Sequence, residues 1–227
     1  MELAKTVQEF ELTWVVYDPM DPFGALLALC TLFPIFLMIV YFTAITLRRD
    51  LDSISMLIGQ LVSVVINKVV KKLINQPRPI GAYMSGPGMP SAHSQFMGFF
   101  ATYSVVYTAK RLNERRHLEQ WITICGVIFM AVLTCYSRIH LKYHSIDQVV
   151  VGAFFGILIG IFWYALVARI SPKLFPLVTE TRFARFFYMR DISHIQDLTV
   201  HQYDVCCKSY KKLQKLHCSI HVPNKEQ

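Results

Sequence analysis

Charged residues are scarce in this sequence. They make up 17% of the 227 residues and hydrophobic residues make up 54%, whereas a soluble domain of this size carries about 25% charged residues. This composition argues against a soluble globular domain and favours a membrane protein. The net charge is +8, but the basic residues are scattered between apolar runs and form no stripe with interleaved aromatic residues. We therefore expect no nucleic-acid partner.

The cysteines form neither a metal-ligand pattern nor a disulfide framework. Three of the six lie within apolar runs and three lie in the C-terminal tail. Cys206 and Cys207 could carry acyl chains, but free thiols on a cytosolic tail are the simpler interpretation. A cleaved signal peptide is not indicated, because the first apolar run starts late and follows an acidic segment. We expect that run to be an uncleaved membrane anchor.

Five apolar runs predict the fold. A spanning helix needs ~20 mostly apolar residues, and residues 22–47 and 148–168 are each long enough. Pro34 should kink the first of these runs. Three shorter runs can also span if their charged ends lie at the water interface: residues 53–70, 92–109 and 120–137. The fold class is therefore all-α, a transmembrane helical bundle of about five spans. Three glycines in the last run predict close helix packing on one face: Gly152, Gly156 and Gly160.

The charge distribution predicts the orientation of these spans. Cytosolic loops are usually rich in lysine and arginine. Basic groups follow the first, third and fifth runs, whereas the N-terminal segment carries five acidic residues against Lys5 alone. With five spans, the N-terminal segment and two loops, residues 71–91 and 138–147, then face away from the cytosol. Short apolar stretches at 174–178 and 183–189 predict an interfacial helix on the cytosolic leaflet. We expect three parts: an acidic non-cytosolic segment 1–21, a membrane bundle 22–169 and a basic cytosolic tail 170–227.

The two non-cytosolic loops break the charge rule, and an anion-binding site is a physical reason for this. They carry five basic residues: Lys71, Lys72, Arg78, Arg138 and Lys142. The same loops contain a single acid, Asp147, whereas Mg²⁺ or Ca²⁺ needs several oxygen ligands, typically carboxylates. Five cations would repel a zinc ion held by two histidines and one aspartate. We therefore expect a site that uses no metal and no other cofactor.

Residues suited to phosphate chemistry cluster at these helix ends. A phosphoryl transition state spreads negative charge over three equatorial oxygens, which fixed cations and N–H donors stabilise. Arginine offers bidentate donors that match phosphate geometry. Ser91 begins the third span, so free backbone N–H groups of that helix start can point at an anion. Two histidines, His93 and His144, can divide the roles of nucleophile and general acid.

Three motifs in these loops, taken in order, resemble the signature of the type-2 phosphatidic acid phosphatase superfamily of lipid phosphatases. They read Lys-x6-Arg-Pro from Lys71, Pro-Ser-x-His from Pro90 and Ser-Arg-x5-His from Ser137. Three longer segments narrow the resemblance to the dolichyldiphosphatases of the endoplasmic reticulum, beginning at Leu51, Met89 and Phe186. Superfamily members commonly have six spans, so this chain lacks one or replaces it with an interfacial segment at residues 10–17.

The resemblance implies a role for each motif residue. His144 would be the nucleophile and form a phosphohistidine, and His93 would protonate the leaving group. Four residues would hold the phosphoryl oxygens: Lys71, Arg78, Ser91 and Arg138. The superfamily usually has glycine where this chain has Ala92. It also usually has aspartate four residues after the nucleophile, where this chain has Gln148, a glutamine that the dolichyldiphosphatases share. On a helix, Asp147 or Gln148 could reach His144, so both are candidates for orienting its ring.

The function implied by the resemblance is hydrolysis of dolichyl diphosphate to dolichyl phosphate and inorganic phosphate. The reaction would take place at the lumenal face of the endoplasmic reticulum membrane and recycle the lipid carrier for protein N-glycosylation. The partners are then a polyprenyl diphosphate substrate and the lipid bilayer. Two alternatives stay open: a lipid phosphatase that acts on phosphatidate or a sphingoid phosphate, and a non-catalytic membrane protein of the same fold.

Overall fold

Helices dominate the structure, a computed structural model that describes residues 8–10, 15–82, 86–111 and 116–220. A short antiparallel pair of strands comes first, β1 (Gln8–Phe10) and β2 (Val15–Tyr17). Eight helices follow within the described residues: α1 (Gly24–Cys30), α2 (Phe33–Arg48), α3 (Leu51–Ile74), α4 (Ala92–Arg111), α5 (His117–His140), α6 (Ile146–Thr179), α7 (Arg182–Phe186) and α8 (Leu198–Ile220). The predicted all-α membrane bundle is confirmed, with the small strand pair added to it. The expected interfacial segment 10–17 lies partly outside the described residues, and its described end forms β2.

Four helices of the described chain are long and apolar enough to cross a membrane: Gly24–Arg48, α3, α5 and α6. The remaining expected span, residues 92–109, coincides with α4, whose 20 residues give a helix about 30 Å long. The helix α4 is more polar on average than the other spans because it contains residues such as Ser94, Gln95 and Thr108. These three side chains are buried. In hydrocarbon, such polar groups are tolerated when they face protein. The polarity of α4 therefore reflects its central position in the bundle.

Two boundaries differ in detail from the expected ones. The first span is divided at Thr31 and Leu32, so that Pro34 falls in the first turn of α2, where a missing N–H leaves no helical acceptor unpaired. At the other end of the bundle, α6 continues past residue 169 to Thr179. Ser171 and Phe175, four residues apart, are both buried, so packing supports this extension. Residues 174–178, expected in an interfacial helix, belong to α6.

The glycine stripe of α6 packs directly on the backbone of α4. A methyl group at Gly156 would stand 2.2 Å from the carbonyl oxygen of Gln95, and one at Gly152 would stand 2.6 Å from that of Ser91. Neither distance leaves room for any side chain. The two helices therefore approach as closely as backbones can, and this fixes the start of α4 beside the start of α6.

A buried polar network joins α3 to α4. Asn67 donates from Nδ2 to Oε1 of Gln95 at 2.8 Å, and Gln95 donates from Nε2 to the carbonyl oxygen of Ser63 at 2.8 Å. Unpaired polar groups in hydrocarbon cost several kcal/mol, so these bonds fix the register of the two helices. Lys71 lies one turn beyond Asn67 and is thereby brought to the start of α4.

The opposite end of the bundle holds the first part of the tail. The guanidinium of Arg111 donates to the carbonyl oxygens of Ile192 and Ile195, at 3.1 and 2.9 Å, and to Oδ2 of Asp52 at 3.1 Å. Arg116 pairs with Asp197 at 3.1 Å. The tail segment is therefore tied to the starts of α3 and α5 and to the end of α4. Helix α8 follows this segment, and no sequence pattern predicted it.

Candidate active site

The three motifs meet at one end of the bundle. Lys71 lies in the last turn of α3, His93 in the first turn of α4 and Arg138 in the last turn of α5. The connection from α5 to α6 is short and tightly bonded: the backbone N–H groups of Tyr143 and His144 both donate to the carbonyl oxygen of Arg138, each at 3.1 Å. His144 is therefore held close to Arg138 before α6 begins at the Ser145 N-cap.

The ring of His144 is oriented by Gln148. Nδ1 of His144 lies 3.1 Å from Oε1 of Gln148, and Nε2 of Gln148 donates to the carbonyl oxygen of Pro77 at 2.8 Å. Because the second bond requires the amide NH₂ to face Pro77, the amide oxygen must face His144. The oxygen can only accept, so Nδ1 carries the proton and Nε2 keeps its lone pair. Asp147, the other candidate, is exposed and bonds to no described residue.

Two arginines beside His144 have unused donors. Arg138 is 4% exposed, and its guanidinium lies over the ring of Tyr143, 3.9 Å from the centroid. Arg78 donates from Nη1 to the carbonyl oxygen of Tyr143 at 3.1 Å. The Nε atoms of both arginines are buried and have no hydrogen-bond partner among the described residues. Buried donors without a partner are rare and costly, which is the state expected of a site that awaits an anion.

Sequence reasoning missed Tyr143. Besides its contacts with the two arginines, its hydroxyl accepts from the N–H of Val16 at 2.8 Å and donates to the carbonyl oxygen of Val16 at 3.3 Å. The side chain thus links β2 to the arginines. Its position directly before His144 was the only signal in the sequence, and a tyrosine next to a motif residue does not indicate this contact.

The positive charges of the site have no carboxylate partners among the residues that the structure describes. Within the part of the chain that the structure describes, no salt bridge involves Lys71, Arg78 or Arg138. The same residues hold no group of three or more His, Cys, Asp or Glu that could bind a metal ion. The donor set is therefore cationic, and the natural ligand of such a set is a multiply charged anion.

The protonation state of His144 follows from burial and from these cations. Burial lowers the pKa of His144 to about 3, and the charges of Arg138, Arg78 and Lys71 act in the same direction, while the hydrogen bond to Gln148 opposes them. Burial likewise lowers the pKa of Arg78. At neutral pH the imidazole of His144 is neutral, which is the form that a nucleophile requires.

Ser91 and His93 lie at the start of α4. Ser91 is fully buried, and its Oγ accepts from the backbone N–H of Ser94 at 3.5 Å and from the hydroxyl of Ser94 at 3.1 Å. Its own N–H donates to the carbonyl oxygen of Gln148 at 2.9 Å, so this group of the helix start is not free for an anion. His93 is half-buried and lies within electrostatic range of His144 and the three cations.

Two other basic residues of the loops lie apart from this group. His140 contacts Asp21 through Nε2, 2.6 Å from Oδ2, and this hydrogen bond lowers the pKa of Asp21. Lys142 is exposed and adopts a positive φ of 57°. The His140–Asp21 pair ties the chain that follows β2 to the end of the bundle that carries the site. Residues 83–85, which belong to the first loop, lie outside the described residues.

Inorganic phosphate should stabilise the protein through this site. At 100 times its dissociation constant, a ligand specific for the folded state adds about 2.7 kcal/mol. We expect Lys71→Ala to lose most of the phosphate-dependent rise in Tm, and Lys72→Ala, an exposed neighbour, to retain it. Thermal unfolding in detergent, with chloride replacing phosphate at equal ionic strength, measures both. Equal stabilisation of the two variants would mean that phosphate binds elsewhere or nonspecifically.

The sequence of this chain is similar to those of known proteins. The family model described as PAP2 superfamily matches residues 53–172. Dolichyldiphosphatase 1 of Dictyostelium discoideum is 39% identical over 210 residues, which are 90% of this chain and 92% of the relative. Dolichyldiphosphatase of Saccharomyces cerevisiae is 36% identical over 203 residues, 84% of each chain. Lipid phosphate phosphatase gamma of Arabidopsis thaliana is 37% identical over 208 residues, 89% of this chain and 92% of the relative.

A solved structure shares the fold. The crystal structure of a transmembrane PAP2-type phosphatidylglycerolphosphate phosphatase from Bacillus subtilis superposes with a TM-score of 0.58. It is 22% identical in sequence, and the match covers 67% of this chain and 80% of that one. Together with the matched family model and the near-full-length relatives, these findings mean that the chain belongs to the PAP2 superfamily.

Proposed function

We propose that this protein hydrolyses dolichyl diphosphate to dolichyl phosphate and inorganic phosphate through a phosphohistidine at His144. One observation carries the proposal: a neutral, oriented histidine lies among Lys71, Arg78 and Arg138, which form no salt bridge with any described carboxylate. Relatives named dolichyldiphosphatase, similar over most of their length, support the choice of substrate.

The first half of the reaction begins with attack by Nε2 of His144 on the terminal phosphorus. A nitrogen–phosphorus bond forms while the bond from phosphorus to the bridging oxygen breaks. His93 donates a proton to that oxygen, and dolichyl phosphate leaves. The imidazole becomes cationic as it attacks, and Oε1 of Gln148 stabilises it by accepting the Nδ1–H hydrogen bond. Arg78, Arg138 and Lys71 neutralise the equatorial oxygens.

In the second half of the reaction, His93 acts as the base and His144 is the leaving group. A water molecule attacks the phosphohistidine and gives its proton to His93, and inorganic phosphate leaves with the nitrogen–phosphorus bond broken. His144 returns to the neutral tautomer that Gln148 selects. The hydroxyl of Ser91 completes the set of donors around the phosphoryl group. His93 ends each turnover in the protonation state in which it began, since the proton that it donates first is replaced by the proton from water.

The chemistry proposed here needs no metal. Metal-assisted phosphoryl transfer requires a set of carboxylate, histidine or cysteine ligands near the phosphate, and the described residues offer no such group. Lys71, Arg78 and Arg138 supply the charge that a divalent cation would otherwise supply. A divalent cation placed among these three side chains would be repelled, so one site cannot use both the side-chain cations and a metal ion.

The proposed location is the endoplasmic reticulum membrane, with the site facing the lumen, the tail facing the cytosol and the product reused in N-glycosylation. Acidic residues before the first span and the contact between Asp21 and His140 support a common side for the N-terminus and the site. The clustering of Arg111, Arg116 and the basic tail at the opposite end supports a cytosolic position for that end.

A second candidate is a phosphatase that acts on phosphatidate or a sphingoid phosphate. The Arabidopsis relative, named a lipid phosphate phosphatase, is the observation that favours it. The catalytic steps would be the same, with an alkoxide in place of a phosphate as leaving group. A non-catalytic membrane protein of this fold would have no need for an oriented histidine among cations that pair with no described carboxylate.

Phosphate release in excess EDTA tests the proposal. Wild-type protein in detergent should release phosphate from dolichyl diphosphate at an undiminished rate, and His144→Ala should lose about 10⁴-fold or more, the scale on which loss of a nucleophile acts. His201→Ala, which removes an exposed histidine of α8, serves as the matched control and should keep the wild-type rate. Activity that EDTA abolishes would contradict the metal-free mechanism. Rapid hydrolysis of phosphatidate with dolichyl diphosphate left intact would favour the second candidate.

Glycosylation mapping tests the orientation. The sequence contains no Asn-x-Ser/Thr acceptor site of its own, so any glycan reports an introduced one. An acceptor site on an N-terminal extension should be glycosylated in cells, because that terminus is lumenal. The same site on a C-terminal extension should stay unmodified. The shift in gel mobility and its reversal by an endoglycosidase measure this, and the opposite pattern would place the catalytic end in the cytosol.

A further inference from the structure

The side-chain amide of Gln148 forms hydrogen bonds through both its oxygen and its nitrogen. Oε1 lies 3.1 Å from Nδ1 of His144 and 3.4 Å from the backbone N–H of Ser145, and Nε2 donates to the carbonyl oxygen of Pro77 at 2.8 Å. The backbone oxygen of Gln148 also accepts the N–H of Ser91. This single residue therefore joins His144, the start of α4 and the loop that carries Arg78.

The amide is clamped in one orientation. Gln148 is 1% exposed, and Gly88 packs against it so closely that a methyl group there would stand 2.4 Å from Oε1. A glutamate of the same shape would keep both acceptor contacts. It has no hydrogen to donate, however, and would bring an anionic oxygen against the carbonyl oxygen of Pro77.

Helix energetics do not explain the amide. Gln148 is the third residue of α6 and completes a capping box with Ser145, and such boxes accept glutamate as readily as glutamine. The positive end of the helix dipole favours a carboxylate at this position. The reason for the neutral side chain therefore lies in the site and not in the helix.

Because Gln148 is neutral, the described part of the site holds three cations and no compensating negative charge. Lys71, Arg78 and Arg138 each act on His144 electrostatically, and the one acid nearby in sequence, Asp147, is exposed and unpaired within the described chain. A carboxylate at position 148 would cancel one of the three charges at the point where the phosphoryl group binds. The amide leaves all three charges available to the ligand.

We propose that Gln148 is the specificity-determining residue of the site: its amide joins His144 to the Arg78 loop, which a carboxylate could not do because it has no hydrogen to donate to Pro77, and its neutrality favours a diphosphate over a monophosphate. This inference rests on the proposed phosphatase function and extends it. A diphosphate group carries more negative charge than a monophosphate, so an added carboxylate would weaken its binding more. The selectivity thus arises from charge balance around a fixed geometry.

The test compares inorganic diphosphate with inorganic phosphate as probes of the full-length protein in detergent. Isothermal calorimetry on wild type, Gln148→Glu and Gln148→Asp gives the ratio of the two dissociation constants. Gln148→Asp places the same charge on a shorter side chain, which does not reach Pro77 and so protects the test against misfolding. Asp147→Asn is the matched control, since it changes one charge at the neighbouring exposed position.

We expect the preference for diphosphate to fall by about tenfold in both acidic variants, the scale of one additional charge–charge repulsion across roughly 8 Å of partly solvated protein. The control variant should keep the wild-type ratio. In the lipid assay, kcat/KM for dolichyl diphosphate should fall more than kcat/KM for dolichyl phosphate. A purely structural role for Gln148 would lower binding of both probes and leave their ratio unchanged.

An unchanged ratio in folded Gln148→Glu and Gln148→Asp would overturn the inference, whatever the lipid activity of the protein. If the ratio falls as expected but wild type leaves dolichyl diphosphate intact, the inference stands and the proposed substrate fails. A rise of similar size in Asp147→Asn, which removes a negative charge, would also overturn it, because the ratio would then follow the net charge of the surface and not position 148.

Discussion

Buried positive charge that no carboxylate of the described residues compensates is the constraint on which this structure depends. Arg138 is nearly inaccessible, and its Nε, like that of Arg78, has no partner among the described residues. Holding such groups together costs free energy in the empty protein, because each is desolvated and repels the others. The protein limits this cost by contacts that add no negative charge: the ring of Tyr143 lies under one guanidinium, and its carbonyl oxygen accepts from the other. In the proposed reaction, an incoming phosphate meets donors that are already positioned, which is the condition for electrostatic catalysis.

The membrane bundle supplies the rigidity that this arrangement needs. The central helix α4 is held on one side by backbone contact with the glycines of α6 and on the other by the network from Gln95 to Ser63 and Asn67. Both sets of contacts lie within a few turns of the site, so the ends of α3, α4 and α6 have little freedom to move apart. At the far end, Arg111 ties the tail to the same helices.

The sequence predicted the membrane bundle, and there are physical reasons why it did not predict several contacts of the candidate site. Apolar runs predicted the helical membrane bundle because length and hydropathy decide membrane insertion, and the residues of the three motifs lie at one end of that bundle. The sequence left Asp147 and Gln148 as equal candidates, because residues three and four positions after His144 lie on the same helix face. The contact between Nε2 of Gln148 and Pro77 separates them, and it joins residues 71 positions apart. Tyr143 and the extension of α6 to Thr179 were missed for the same reason, since both depend on packing partners distant in sequence.

The central claim is that His144 becomes covalently phosphorylated, and trapping that species tests it most directly. Wild-type protein would be mixed with dolichyl diphosphate labelled in its terminal phosphate, quenched in alkali within a fraction of a turnover and digested. The account predicts one labelled peptide, with the label on residue 144, stable in alkali and released by acid, and no label in His144→Ala. Phosphate release by wild type with no protein-bound label, or with the label on Ser91, would contradict it.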